Sequence, residues 1–173
     1  EVQVEGTFAA GKVIFNSTED YKVDAAAAGA QGTVETLEQN GSGTTTLSSA
    51  VKVTGDTLIN DGTLVLEDTG ILHGSVSGRG TLEIDWGKGN EGRVSLQEIG
   101  GLSLASGTLQ AYAADLGGMK SLKLASDGRF AITSNANNTL SVELQAAGGS
   151  LSKSGNGTLT WNVSMASGTL DTV

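Results

Sequence analysis

The triplet Gly-Thr-Leu returns along this chain at Gly62-Thr63-Leu64, Gly80-Thr81-Leu82, Gly107-Thr108-Leu109, Gly157-Thr158-Leu159 and Gly168-Thr169-Leu170. Internal repetition restricts the fold more than any other feature of the sequence, because equivalent segments must find equivalent surroundings. A looser copy, Gly43-Thr44-Thr45-Thr46-Leu47, comes first; the intervals are then 19, 18, 27, 50 and 11 residues, so the period is approximate. After each of the first four triplets apolar residues alternate with others: Leu64 and Leu66, Leu82 and Ile84, Leu109 and Ala111, then Leu159, Trp161 and Val163. Alternation marks a half-buried strand. Val94/Leu96, Leu102/Leu104, Leu122/Leu124, Phe130/Ile132 and Leu140/Val142/Leu144 keep the alternation without the triplet, so strands recur about every ten residues.

Asn60-Asp61-Gly62, Ser126-Asp127-Gly128 and Ser154-Gly155-Asn156-Gly157 separate these strands with residues that accept the positive φ of tight turns. The 26 glycines come with no proline, which excludes collagen and proline-rich linkers as their reason. Short strands at this interval fit an antiparallel sandwich or barrel, or a solenoid with two or three strands per coil. A shared triplet favours the solenoid, in which like positions stack: Leu inside, Thr on an outer face, Gly at the corner. Helical spacing is nearly absent. Tyr21 to Gln31 and Leu109 to Leu116 carry enough alanine to suggest one short helix at most. The chain reads as a single unit over 1–173, with repeat coils over 31–173 and the least repetitive stretch, 1–30, as the candidate cap of an exposed strand edge.

A chain of 173 residues with 38% apolar and 17% charged residues can bury a core and is not a charge-rich disordered segment. No apolar run approaches the roughly 20 residues of a membrane-spanning helix. Without cysteine there is no disulfide frame and no thiolate site. The net charge of −9 lies in residues 1–100, where 15 acids face 6 bases; residues 101–173 hold 4 of each. Such a surface repels phosphate backbones and anionic membranes, and no basic cluster with interleaved aromatics relieves it, so no nucleic-acid partner is expected. The chain opens at Glu1 without Met or a signal-peptide pattern and stops after another triplet, which reads as a piece of a longer protein.

The stretch from Gly148 to Thr160, Gly-Gly-Ser-Leu-Ser-Lys-Ser-Gly-Asn-Gly-Thr-Leu-Thr, resembles the autotransporter-associated β-strand repeat: a glycine pair, Leu, a Lys-Thr/Ser-Gly turn, then Gly-Thr-Leu-Thr-Leu. Trp161 stands where that pattern usually has Leu, and a second Gly-Thr-Leu follows at 168–170. Residues 55–84 and 101–111 resemble the repeat only loosely, and 1–50 hardly at all. The resemblance implies a right-handed parallel β-helix in the passenger of a secreted or outer-membrane-attached bacterial protein. Such passengers serve as adhesins, aggregation factors, toxins and some enzymes, and the repeat transfers no active site.

Few residues suggest chemistry. His73 is the single histidine and would need three carboxylates to hold zinc, and no Gly-x-Ser-x-Gly elbow accompanies it, so a surface histidine is the ordinary reading. Gly87-Lys88-Gly89-Asn90-Glu91-Gly92 satisfies a nucleotide-loop spacing but leads into strand-like Arg93-Val94-Ser95-Leu96 rather than a helix. Glu67/Asp68, Glu83/Asp85 and Asp115/Asp127 are paired acids, of which Glu83 and Asp85 alternate with Leu82 and Ile84 and therefore face outward. Neither the EF-hand calcium loop nor the Gly-Gly-x-Gly-x-Asp calcium repeat is present. Trp86, beside Asp85 and before a glycine-rich turn, could stack on a sugar ring. The sequence thus predicts an all-β right-handed parallel β-helix that acts as a structural or adhesive scaffold at the bacterial cell surface or outer membrane, or secreted. It is expected to be no enzyme and to use no cofactor or metal. Its expected partners are a host or matrix glycan, a protein or a second copy, with Glu83, Asp85 and Trp86 as the ligand-binding candidates. The alternative is a carbohydrate-binding or polysaccharide-cleaving β-helix.

Overall fold

A computed structural model describes residues 2–172, without the side chains of 166, 167 and 169–172. Leu170, read above as a strand residue of the last triplet, therefore has its side chain outside the described residues. The chain forms β1 (Val2–Val4), β2 (Thr7–Phe15), β3 (Tyr21–Ala25), β4 (Gln31–Gln39), β5 (Thr44–Leu47), β6 (Val51–Val53), β7 (Thr57–Ile59) and β8 (Thr63–Leu66). Longer strands follow: β9 (Ser75–Asp85), the short β10 (Glu91–Arg93), β11 (Ser95–Tyr112), β12 (Ser121–Thr133), β13 (Asn138–Ser154) and β14 (Leu159–Thr172). All strand pairs are parallel. The main path through the sheet is β1, β3, β5, β8, β9, β11, β12, β13, β14. The result is a parallel β-solenoid of about eight turns, as the repeat predicts.

Partners along the path are offset by 18 residues (Leu64 to Leu82) to 24 (Tyr21 to Thr45), which is the length of one coil. The side chains that alternate inward stack in columns. Leu64, Leu82, Leu102, Leu122 and Leu144 form one. Beside it run Leu47, Leu66, Ile84, Leu104, Leu124 and Ala146. Leu109, Phe130 and Leu151 stack on a second side, and Leu37, Thr57, Val76 and Leu96 on a third. Burying each such Leu is worth about 1.5–3 kcal/mol. No coil could hold its apolar side chains away from water alone, so stacking and folding are one event.

The triplets do not share one column. Thr63 and Leu64 stack on Thr81 and Leu82, but Leu109 stacks on Phe130 and Leu159 on Asn138, on other sides of the coil. Each triplet marks a corner followed by a strand, whichever side that strand occupies, and this explains the intervals of 27 and 50 residues. Gly62, Gly107 and Gly168 make their corners at φ of 66°, 85° and 108°, values that L side chains rarely adopt. Long strands turn corners through bulges instead. Along β11 the register against β9 shifts on either side of Ile99, and the neighbouring Glu98 holds φ at 49°.

Of the two alanine-bearing stretches, Tyr21 to Gln31 is strand β3, a bend and the start of β4. In the other, β11 continues to Tyr112 and a 3-10 helix takes Ala113–Leu116, burying Ala113 and Leu116 against β11 and β13. The core thins at both ends. β1 and β2 pair on one side only, leaving Val2, Phe8 and Ile14 exposed; in β14 Leu159 and Trp161 are half-buried while Val163 and Met165 are exposed. Leu64, Leu82 and Leu109 are fully buried, as predicted.

Candidate functional site

On β9 Leu82 and Ile84 point inward and Glu83 and Asp85 outward, and Trp86, the residue after the strand, continues the inward set. The two acids lie outside, as expected. Trp86 does not join them: it is 4% exposed, its ring edge lies against Gly92, and its Cβ abuts Gly107. The stacking role expected of this indole is corrected, since no ring face reaches solvent; parity along the strand places it with the core. Its Nε1 is buried without a hydrogen-bond partner.

A serine of the next coil meets each acid. Ser103 Oγ donates to Glu83 Oε2 at 2.8 Å, and Ser106 Oγ donates to Asp85 Oδ1 at 2.5 Å. Ser106 Oγ also accepts from Gly87 N at 2.7 Å, so Asp85 is engaged in holding the corner that opens the glycine-rich turn. Glu83 has a different setting. It lies in a two-column grid on the outer face, where Thr63, Thr81, Gly101, Ser121 and Glu143 stack in one column. Val65, Glu83, Ser103, Lys123 and Gln145 stack in the next. Between the columns runs a groove of about 250 Å³ over the backs of Leu102 and Leu122.

Gly101 is the tightly packed position of this grid. A Cβ there would stand 2.7 Å from Thr81 Oγ1 and 3.0 Å from Ser121 Oγ. Its backbone is not in the positive-φ region, so the glycine permits close packing of its neighbours rather than a turn. Among the described residues, the side chains of Thr81, Ser121, Lys123, Glu143 and Gln145 make no hydrogen bond or ion pair within the protein. The groove thus offers acceptors, donors and groups that are both, on strands that fix their spacing.

Two other hollows are weaker candidates. One of about 460 Å³ beside the 3-10 helix is lined by Glu98, Asp115, Ser77 and Gln97, with no cationic side chain, and the positive φ of Glu98 belongs to the bulge. The other, of about 300 Å³, is the open apolar end of the core between Val2, Phe8, Val13 and Leu37.

The remaining sequence candidates are dispersed. His73 is exposed, and its amide donates to Val53 O. Residues 87–90 form a turn into β10, not a helix start. Glu67 pairs with Lys22, Asp68 accepts from Ser49 N, and Asp127 faces Lys88 at 3.5 Å. No group of three or more His, Asp or Glu that could hold a metal exists among the described residues. Perturbed carboxylates lie between coils: the Ser48 hydroxyl holds Asp24 below the ordinary carboxylate range, the Ser75 hydroxyl does so for Asp56, and Lys12 for Glu38.

Lys123, Glu143, Ser121 and Gln145 were not singled out from sequence. A signal existed, because Glu83, Ser103 and Lys123 recur at the 20-residue offset of these coils and take outward positions, with Gln145 following 22 residues on. Parallel coils, stacked apolar columns and polar outer grids define a β-helix repeat protein. Comparison with family models, curated proteins and solved structures finds no match to this chain.

Proposed function

We propose that the chain is a structural, adhesive stretch of a secreted or surface-exposed bacterial protein of the autotransporter-passenger kind, acting by contact rather than catalysis. The observation that carries this reading is the division of labour across each strand. Inward residues form largely apolar columns that need no ligand, while the outer face presents Thr81, Ser121, Lys123 and Glu143 without side-chain partners among the described residues, beside Glu83, which Ser103 holds. The likeness of residues 148–160 to the autotransporter repeat supports the surface setting. An outer-membrane or secreted location, and a glycan, protein or second copy as partner, belong to this same reading.

The test displays the 173-residue chain on a non-adherent bacterium and measures attachment to glycan-coated, matrix-protein-coated and chain-coated surfaces. Attachment to at least one coating above the undisplayed control is expected. Attachment to none, together with hydrolysis of a polysaccharide by the purified chain, would replace this reading with the polysaccharide-cleaving alternative.

A further inference from the structure

We propose that the grid around Gly101 binds an uncharged, hydroxyl-rich glycan laid along the long axis of the solenoid, across the coils; this rests on the surface-contact reading above. The chemistry of the lining selects the ligand class. Glu83 and Glu143 accept only, Lys123 donates only, and Thr81, Ser121 and Gln145 do both. A sugar hydroxyl also donates and accepts, so it can meet every one of these groups, and its bonds to the two carboxylates and the ammonium are charge-assisted.

Other ligands fit poorly. Two carboxylates against one lysine leave the groove negative within a chain of net charge −9, which repels uronates, sulfates and phosphates. A chelated cation would need a third ligand, and no such group exists among the described residues. An apolar peptide would find only the backs of Leu102 and Leu122.

The direction of the ligand follows from the coil spacing. Rungs of the grid repeat at the strand separation of about 4.8 Å, and an extended pyranose chain advances by about one such spacing per sugar. Successive sugars would therefore meet successive rungs. Because Gly101 has no Cβ, which would stand 2.7 Å from Thr81 Oγ1 and 3.0 Å from Ser121 Oγ, these two hydroxyls lie close together over its backbone. Ser103 holds Glu83 in place before any ligand arrives, which lowers the ordering cost of binding.

The experiment is calorimetric titration of the whole chain with cello-, manno- and chito-oligosaccharides of increasing length, and with oligogalacturonates. Affinity should rise with each sugar until the oligomer spans the rungs from Thr63 to Glu143, then level off, with the uronates weaker throughout. Glu143→Gln, on an exposed side chain, should weaken the uncharged ligand about tenfold. Arg129→Ala, on another side of the coil, should change nothing. Affinity independent of length, uronates binding as well as uncharged chains, or an unaffected Glu143→Gln would overturn the proposal. If every oligosaccharide fails while the displayed chain still attaches to protein or to itself, the glycan site is wrong and the contact role stands; if attachment fails as well, both fall.

Discussion

Thr57 occupies a position whose column is otherwise Leu37, Val76 and Leu96. It is 1% exposed and its Oγ1 has no partner. A buried hydroxyl without a hydrogen bond loses its hydration with nothing in return, whereas valine has nearly the same shape. Thr57→Val should therefore stabilise the chain by about 1 kcal/mol, seen as a higher urea midpoint at unchanged slope; a lower midpoint would mean that the hydroxyl finds a partner in solution. Gln39 shows the opposite case. It is buried too, but its Nε2 donates to Gly41 O and Gly43 O and its Oε1 accepts from Thr45 Oγ1. Trp86 shows how much single residues disclosed in the sequence. Counting inward from Leu82 and Ile84 places it in the core, yet its neighbours Asp85 and Gly87 suggested a sugar platform, and neighbours in sequence lie on opposite faces of a strand.

Strands meet their neighbours through polar rungs as well as apolar columns. Asp24 accepts from Ser48 Oγ, and Asp56 from both Oγ and N of Ser75, so each carboxylate ties one coil to the next. Both are held below their ordinary value of 3.8. A group whose folded value is depressed takes up its proton first in the unfolded chain. The stability it contributes is complete above the ordinary value and is lost as pH falls through it toward the folded one. Thermal midpoints should stay level from neutrality to about pH 5 and decline below about pH 4, with a shallower decline in Ser75→Ala. An equal decline in that variant would assign the acid sensitivity elsewhere. The strands themselves were legible, because alternation reports a half-buried pleat directly. Their assignment to sides was not: Leu109 and Leu159 share a triplet with Leu82 but stack in other columns, since a corner glycine says that the chain turns and not which side follows. The 3-10 helix of Ala113–Leu116 was half-visible in its alanines.

A stack in which every coil touches only its neighbours is protected unequally along its length. β9 and β11 are paired on both sides, while β1, β2 and β14 each have one partner strand and the exposed side chains of Val2, Phe8, Ile14, Val163 and Met165. Amide hydrogen exchange should therefore be fastest in β1, β2 and β14 and slowest in β9 and β11, with a gradient between. Uniform protection would show that the rod unfolds only as a whole. The equivalence of the rungs reaches further. Leu82 and Leu102 hold successive positions in one column, and so do Glu83 and Ser103, so excising residues 83–102 would join two strands in matching phase. Gain or loss of such a cassette by unequal recombination alters reach by about 4.8 Å while sparing the coils on either side. Length is thus a heritable dimension of this molecule, adjustable in discrete steps of one coil.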